Sequence, residues 1–590
     1  MSELRQRKGA TSDAAEVGGS EEPRGLEHHS EEKSSFSFCS LGLPLLVLLG
    51  ARILAAAISP IADCDETFNY WEPAHFLAFG RGFQTWEYSP VYALRSYLFL
   101  LPHSCVAWLA AQVAGRPLAF FLTRGAQALF AVAAECCFVV AVGRRIGWEV
   151  AATTAWLLAV SPGSFVAAVA FLPSSLAMLQ VCVSWSLWLS GRHSWAIFVG
   201  AGTVVVIWPF AGLLFVPLGL HALVRSPCRA MAAAVASFLL WAGLSMSVDS
   251  FFYGRTVLPA FEIFRYNVLD RSKSGGSELY GVESWDFYLR NGLLNLTVAL
   301  PVAALLPVAA VLECACSRAR TTPGRSQAVV ALGFTLPGFI WLGFFSAIPH
   351  KEERFLAPAY PLLLLAAAAT VHSVSAALAA AARRFVPPAA RLFALLPGVF
   401  VLVSLAASAS RIAAVQSGYG APVDIYKAMS KELGELRSAR GPSAIGPLHV
   451  CVGGEWHRFM TSFFLPHEDD HFSYIRFGPT GLLPAEFNAS LGTSGIPPHM
   501  NDLNQEETTR YIDPKLCDFL VDLDLGDSQT ETALTDLRHK AAKQSNVVAE
   551  FPFLDAARSR FPWRAFYFPF KSEKQNRYGK YSLKALSPQP

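Results

Sequence analysis

Between positions 38 and 413 the chain runs through one apolar segment after another, each near the roughly 20 residues that a helix needs to cross a bilayer. Eleven crossings are expected, at about 38–60, 118–142, 150–171, 172–190, 195–209, 210–224, 231–250, 287–313, 326–348, 356–382 and 392–413. Composition agrees: 53% of the residues are hydrophobic and 16% charged, against roughly 25% charged for an average soluble domain. In water such a chain would expose too much apolar surface. A disordered chain, a collagen and a disulfide-rich miniprotein are excluded. The net charge of +3 supplies no bulk field for nucleic acid.

Charge sorts the connections. Arg144/Arg145, Arg192/His193, Arg225/Arg229, Arg318/Arg320/Arg325 and Arg383/Arg384/Arg391 form short basic clusters at every second one, as expected of cytosolic loops. The alternate connections carry Asp63, Asp65, Glu66, Glu72, Glu87, Glu278, Glu283, Glu352 and Glu353 and are assigned to the lumen. Eleven crossings then leave residues 1–37 in the cytosol, as a disordered polar tail rather than a cleaved signal. Everything after 414 becomes lumenal, and the Asn488-Ala489-Ser490 glycosylation pattern is consistent with that sidedness. Residues 91–116 do not read as a crossing. Pro102-His103 interrupts two apolar runs, which predicts an interfacial helix or a re-entrant hairpin.

Beyond 414, alternating runs at His449–Val452, Phe519–Asp522, Val547–Phe551 and Ala565–Phe570 predict strands between Pro/Gly/Asp-rich loops. The expected whole is a polytopic α-helical membrane protein with lumenal interfacial loops: a tail (1–37), a transmembrane catalytic module (38–413) and a soluble lumenal α/β domain (414–590). The eleven cysteines show no C-x-x-C or Cys/His metal spacing. Cys451 and Cys517 fall in the polar region, where an oxidising lumen would permit a disulfide.

Two polar clusters stand at the lumenal interface. In Asp63-Cys64-Asp65-Glu66-Thr67-Phe68-Asn69-Tyr70-Trp71-Glu72-Pro73 three carboxylates fall within four residues, beside aromatic neighbours. Mutual repulsion and partial desolvation push at least one pKa toward that of a general base. The bland alternative is a solvated acidic loop on an aromatic belt. The second cluster, His350-Lys351-Glu352-Glu353-Arg354-Phe355, packs three potential cations and two carboxylates at membrane depth, where charge is expensive. Phosphate is the natural partner of such Lys and Arg; the alternative is internal pairing of the charges. Together the clusters suggest an enzyme acting on a lipid phosphate, with a carboxylate deprotonating an acceptor hydroxyl while cations stabilise the departing phosphate. A single displacement of that kind inverts the anomeric centre.

The stretch Asp63–Pro73, with Gly82-Phe83-Gln84-Thr85-Trp86-Glu87-Tyr88-Ser89-Pro90, Phe171-Leu172-Pro173-Ser174-Ser175, Trp208-Pro209-Phe210, His350–Phe355, Asn501-Asp502-Leu503-Asn504 and Arg510-Tyr511-Ile512-Asp513, resembles the dolichyl-phosphate-mannose-dependent α-1,2-mannosyltransferases of asparagine-linked glycosylation. The resemblance runs from about 60 to about 570. It implies a C-type glycosyltransferase fold, residence in the endoplasmic reticulum membrane, dolichyl phosphate mannose as donor and a dolichyl-diphosphate oligosaccharide as acceptor. The related glycolipid-anchor enzymes typically carry His-Pro-Asp-Glu where this chain has Asp63-Cys64-Asp65-Glu66, which argues against the anchor pathway.

Residue by residue, the resemblance nominates Asp65 as the base, with Glu66 second. Lys351 and Arg354 are nominated for the donor phosphate, His350 as a hydrogen-bond donor to it, and Arg95, Arg52 and Arg124 as further candidates. Tyr70, Trp71 and Trp86 either stack on sugar faces or anchor the loop. Asp63-x-Asp65 has the form of a metal-binding pair in nucleotide-sugar enzymes, but a monophosphate leaving group can be neutralised by Lys and Arg, and no metal or other cofactor is expected. Glu135 and Asp249 lie within apolar spans without an assigned role. A transporter or scramblase would need pseudo-symmetric halves, which the sequence lacks. A lumenal glycan-binding scaffold would tolerate Asp65→Asn.

Overall fold

Apolar helices fill most of residues 42–419, as they must in lipid, where only internal hydrogen bonds satisfy the backbone. The structure is a computed structural model describing residues 40–61, 63–269, 281–317, 326–440, 446–476, 481–526 and 543–588. The expected tail at 1–37, Glu278 and the cluster Arg318/Arg320/Arg325 lie outside the described residues. Among the described residues, six helices are long and apolar enough to cross a membrane: Tyr97–Ala114, Arg116–Arg145, Pro227–Tyr253, Gln327–Ala347, Glu353–Phe385 and Pro387–Tyr419. Gly42–Ile58, Trp148–Val160, His193–Ile207 and Pro209–Arg225 are shorter apolar helices. The segment read as one crossing at 287–313 is interrupted, with Phe287–Leu296 ending at Thr297 (φ +51°) before Ala299–Ala304 and Leu306–Ser317.

Residues 91–116 correct the hairpin expectation. Tyr97–Ala114 is one continuous helix that carries Pro102 in its second turn. Its start is held from another helix. Asp249 accepts hydrogen bonds from the Tyr97 and Leu98 amides (2.6 and 3.2 Å) and from Ser96 and Ser245 hydroxyls. A carboxylate satisfying orphan amides at a helix N-terminus explains this buried acid. Arg52, a candidate for the donor phosphate, is instead forked onto Glu135 (2.9 and 2.7 Å), with a third bond to the Leu158 carbonyl. Both side chains are fully buried, so this pair belongs to the helical core.

The C-terminal part is a five-stranded mixed sheet in the order β3-β2-β5-β7-β6. Here β2 is His449–Val452, β3 His471–Tyr474, β5 Phe519–Asp524, β6 Lys543–Leu554 and β7 Tyr578–Pro588. The first three run parallel, and β7 and β6 add antiparallel. Helix Ala421–Arg440 packs on β6 and β7. Cys451 and Cys517 form a disulfide, their Cα atoms 5.7 Å apart. Three expected strands are present, but Ala565–Phe570 is a turn. Its backbone pairs with helix Leu396–Tyr419 through Tyr567 and Ser410 instead of joining the sheet.

This domain closes on the first loop. A short ribbon pairs β1 (Phe83–Gln84) with β4 (Ala485–Glu486). Fully buried Glu72 accepts hydrogen bonds from the Ser462 amide and hydroxyl (2.6 and 2.7 Å) and from the Phe83 amide (3.1 Å). Gly82 is required there, because a Cβ would stand 2.3 Å from the Glu72 carbonyl oxygen. Phe68, Tyr70 and Trp71 share one hydrophobic core with Met460, Phe463, Val521 and Leu583.

Candidate active site

The chain from Asp63 to Trp71 makes one α-turn, Cys64–Glu66, which continues into a π-helical turn, Thr67–Trp71. Asp63 caps the start, its Oδ1 accepting from the Asp65 amide at 3.0 Å. Successive side chains on a helical turn point about 100° apart, so Asp65 and Glu66 face different surroundings. Asp63, Asp65, Phe68, Asn69 and Tyr70 line a cavity of about 900 Å³; Glu66 and Trp71 do not. The same cavity takes His350, Lys351, Glu352 and Arg354 from the second polar cluster, and Thr85, Trp86, Glu87 and Arg95 from the rest of the first loop. Trp208, Phe210, Phe344, Phe345 and Ile348 form an apolar wall, while Trp456, Leu482, Pro484 and Asn504 enter from the C-terminal domain.

At the centre Arg354 joins the two clusters. Its Nη1 donates to Asp63 Oδ2 at 2.7 Å and its Nη2 to Asp65 Oδ2 at 2.6 Å. Glu352 forms a third ion pair with the same guanidinium. Three carboxylates thus surround the one Arg354 cation that was expected to meet the donor phosphate. Arg95 is similarly committed, forked onto Glu87 (2.7 and 3.0 Å) and donating to the Tyr70 hydroxyl (2.7 Å). His350 uses both ring nitrogens, with Nε2 2.9 Å from Glu352 and Nδ1 2.9 Å from the Gly281 carbonyl. Lys351 differs. Its Nζ donates to the Glu283 carbonyl at 2.7 Å, and among the described residues no carboxylate pairs with it, so ammonium donors remain for an anion.

The electrostatics separate the carboxylates. Burial raises the Asp63 pKa, which the Arg354 charge opposes and Asp65 and Glu352 reinforce, to about 7. Burial also works against ionised Asp65, but attraction to Arg354 and Arg95 and the Arg354 hydrogen bond outweigh it and hold the group below its ordinary value. Both Asp63 oxygens are occupied, by the Asp65 amide and by Arg354. Asp65 gives one oxygen to Arg354; among the described residues its Oδ1 accepts no hydrogen bond. Asp65 is the ionised carboxylate with an open lone pair on the cavity.

Glu66, the second choice for the base, and Trp71, a candidate for sugar stacking, do not line the cavity. Glu66 is buried, accepting from the Trp71 indole (3.0 Å) and the Phe171 amide (2.9 Å). Trp71 packs its ring among Phe120, Phe171 and Phe463. Both hold the loop in place. Arg124 likewise does not line the cavity, donating to the Ser59 carbonyl and stacking on Phe120. Tyr70 lines the cavity but is nearly fully buried beneath Arg95, whereas Trp86 faces it and packs on Tyr266. Asn488 lies exposed on a loop, its side-chain oxygen bound by Ser490 and Leu491. Tyr266, Leu482 and Pro484 reach the cavity without any signal in the local sequence.

Asp63, Cys64 and Asp65 offer three ligand atoms within 4.8 Å of one another. An ion there would have to displace Arg354, whose charge already bridges both carboxylates.

Residues 43–466 match the model of the Alg9-like mannosyltransferase family. Alpha-1,2-mannosyltransferase ALG9 of Mus musculus is 36% identical over 91% of this chain and 87% of its own length. The Homo sapiens protein of the same name is 36% identical, covering 96% and 93%. Among solved structures, ArnT from Cupriavidus metallidurans bound to undecaprenyl phosphate is similar with a TM-score of 0.50 at 14% identity, over 88% of this chain and 96% of ArnT. That likeness concerns the fold, a multi-pass helical body. With the family match spanning most of the chain and full-length relatives at this identity, the chain belongs to the Alg9-like mannosyltransferase family and is a mannosyltransferase.

Proposed function

We propose that this enzyme transfers mannose from dolichyl phosphate mannose to a dolichyl-diphosphate-linked oligosaccharide, forming an α-1,2 linkage in the assembly of the N-glycan precursor. Its place is the endoplasmic reticulum membrane, with the cavity, Asn488 and the sheet domain facing the lumen. The observation that carries the reading is the Asp65 carboxylate, held ionised by Arg354 on one oxygen and open to the cavity on the other. Asp65 takes the proton of the acceptor hydroxyl as the new carbon–oxygen bond forms. The bond from the sugar's anomeric carbon to the phosphate oxygen breaks, and dolichyl phosphate departs with inversion.

Lys351, which lines the cavity on the loop that supplies Arg354, neutralises the departing phosphate. The apolar wall fits an isoprenoid chain, and half-exposed Phe344 lies on both the cavity and the outside of a membrane-length helix. Trp86, Trp456 and Asn504 offer sugar-stacking faces and an amide to the acceptor glycan from the opposite side. Arg354, Asp63 and Glu352 position the base. A monophosphate leaving group neutralised by Lys351 needs no metal.

The test is mannose transfer by the purified full-length protein, wild type beside Asp65→Asn, with linkage analysis and chelator. The expected result is an α-1,2 product that chelator does not affect and that falls about 10²–10⁴-fold in the variant. A folded variant with full turnover would refute the assignment of the base. A folded wild type with no transfer would refute the reaction.

A further inference from the structure

Between β6 and β7 the chain leaves the sheet, and residues 558–574 of this excursion carry five basic residues against one acid. Phe561, Phe568 and Phe570 are 67%, 42% and 77% exposed. Arg560, Arg564, Lys571 and Lys574 are exposed beside them. The one acid, Glu573, accepts the Tyr567 hydroxyl at 3.0 Å. A domain surrounded by water alone has no reason to cluster three large rings on its surface.

The segment is a built platform, not a loose loop. The Phe568 amide donates to Ser572 Oγ at 2.9 Å, Asn576 donates to the Trp563 carbonyl at 3.1 Å, and Trp563 meets Phe568 edge-on at 5.2 Å. Phe570 has φ +64°, a left-handed backbone that bulky side chains rarely adopt, and so pays strain to hold its ring outward.

Its position relative to the helices is the second observation. The Tyr567 amide donates to the Ser410 carbonyl, Ser410 Oγ donates to the Tyr567 carbonyl, both at 2.9 Å, and Arg411 Nη1 donates to the Ala565 carbonyl at 3.1 Å. Ser410 belongs to Leu396–Tyr419, the main part of a membrane-length helix. Exposed apolar side chains on that helix end at Ala409, and past it only Ser417 is exposed. The segment therefore attaches where the lipid-facing surface stops, the level at which a bilayer of roughly 30 Å hydrocarbon meets its headgroups.

We propose that residues 558–574 are a membrane foot for the sheet domain: Phe561, Phe568 and Phe570 enter the acyl boundary, while Arg560, Arg564, Lys571 and Lys574 hold the phosphates of anionic lipids. Aromatic rings and cations are the side chains this zone favours. The foot fixes the sheet domain against the bilayer, and with it the strand β4 and Trp456 side of the cavity.

The test uses the full-length protein in nanodiscs doped with diazirine-bearing phosphatidylcholine or phosphatidylserine, followed by light and peptide mass spectrometry. The stretch 392–409 serves as the internal control for lipid contact. The expected result is labelling of 558–574, several-fold stronger from phosphatidylserine. The combined variant Arg560→Glu, Arg564→Glu, Lys571→Glu and Lys574→Glu should abolish that preference, and Phe561→Ser with Phe570→Ser should lower labelling from both lipids. An unlabelled segment beside a labelled control overturns the foot. Equal labelling by both lipids in the wild type overturns the anionic headgroup as its ligand.

Discussion

Replacing Arg354 by Gln separates its role as organiser of the carboxylates from a role in holding the donor phosphate. In the structure its guanidinium touches Asp63 at 2.7 Å and Asp65 at 2.6 Å and also pairs with Glu352. Unit charges about 4 Å apart interact by about 4 kcal/mol at an effective dielectric near 20. The carboxylates keep about a third of their surface exposed, so water screens part of this, and what remains favours the ionised form of Asp65. Asp65 is held below its ordinary value in the wild type. Loss of Arg354 therefore raises it, and the acid limb of the pH profile of kcat/KM moves to higher pH by at least about one unit. At pH values below the raised pKa the variant is slow, and raising the pH through it restores part of the rate. Arg354→Lys, which keeps the charge but loses the fork, falls between. The assay is transfer at graded pH in nanodiscs, with thermal unfolding as the folding control. An unmoved acid limb with a raised KM for the donor alone would refute the reasoning and return Arg354 to the phosphate.

Lys351→Met should raise the donor KM and lower kcat, together about 10–100-fold in kcat/KM, the worth of a charged hydrogen bond; donor titrations with an unchanged KM and kcat would remove Lys351 from the site. Arg52→Met should cost about 3–5 kcal/mol by leaving Glu135 buried and unpaired, while the double variant Arg52→Met with Glu135→Leu recovers most of it in thermal unfolding. Changing Cys451 and Cys517 to Ser opens a loop of sequence separation 66, with an expected loss of about 4 kcal/mol from chain entropy, read as earlier proteolysis of the sheet domain. Asp63→Asn should preserve turnover within about tenfold while removing any inflection near pH 7 from the rate profile, since that carboxyl titrates at about 7.

Much of the site was legible because charge at a membrane interface is too costly to be incidental. Asp63, Asp65 and His350 to Arg354 stood out on that ground, and all of them except Glu353 line the cavity. The sequence left two readings of the basic cluster open, a phosphate partner or internal pairing, because partners distant in the chain are invisible to it. Arg354 and Arg95 find carboxylates of the protein, Arg354 across nearly three hundred residues and Arg95 at Glu87. Ala565–Phe570 alternates like a strand but is claimed by Ser410 on a membrane helix.

By itself the sequence determined that this chain is a polytopic helical body followed by a mixed α/β unit, because apolar runs of bilayer length and alternating runs leave the backbone few other ways to bond. The long motifs from Asp63 to Arg510 also carried the family. Only the tertiary structure decided which neighbour in Asp63-Cys64-Asp65-Glu66 sees the cavity, since a residue's step of about 100° around a turn is invisible until the turn has a surrounding. It turned Glu66 inward to the Phe171 amide, left Asp65 an open oxygen, and spent Arg354 on holding it there.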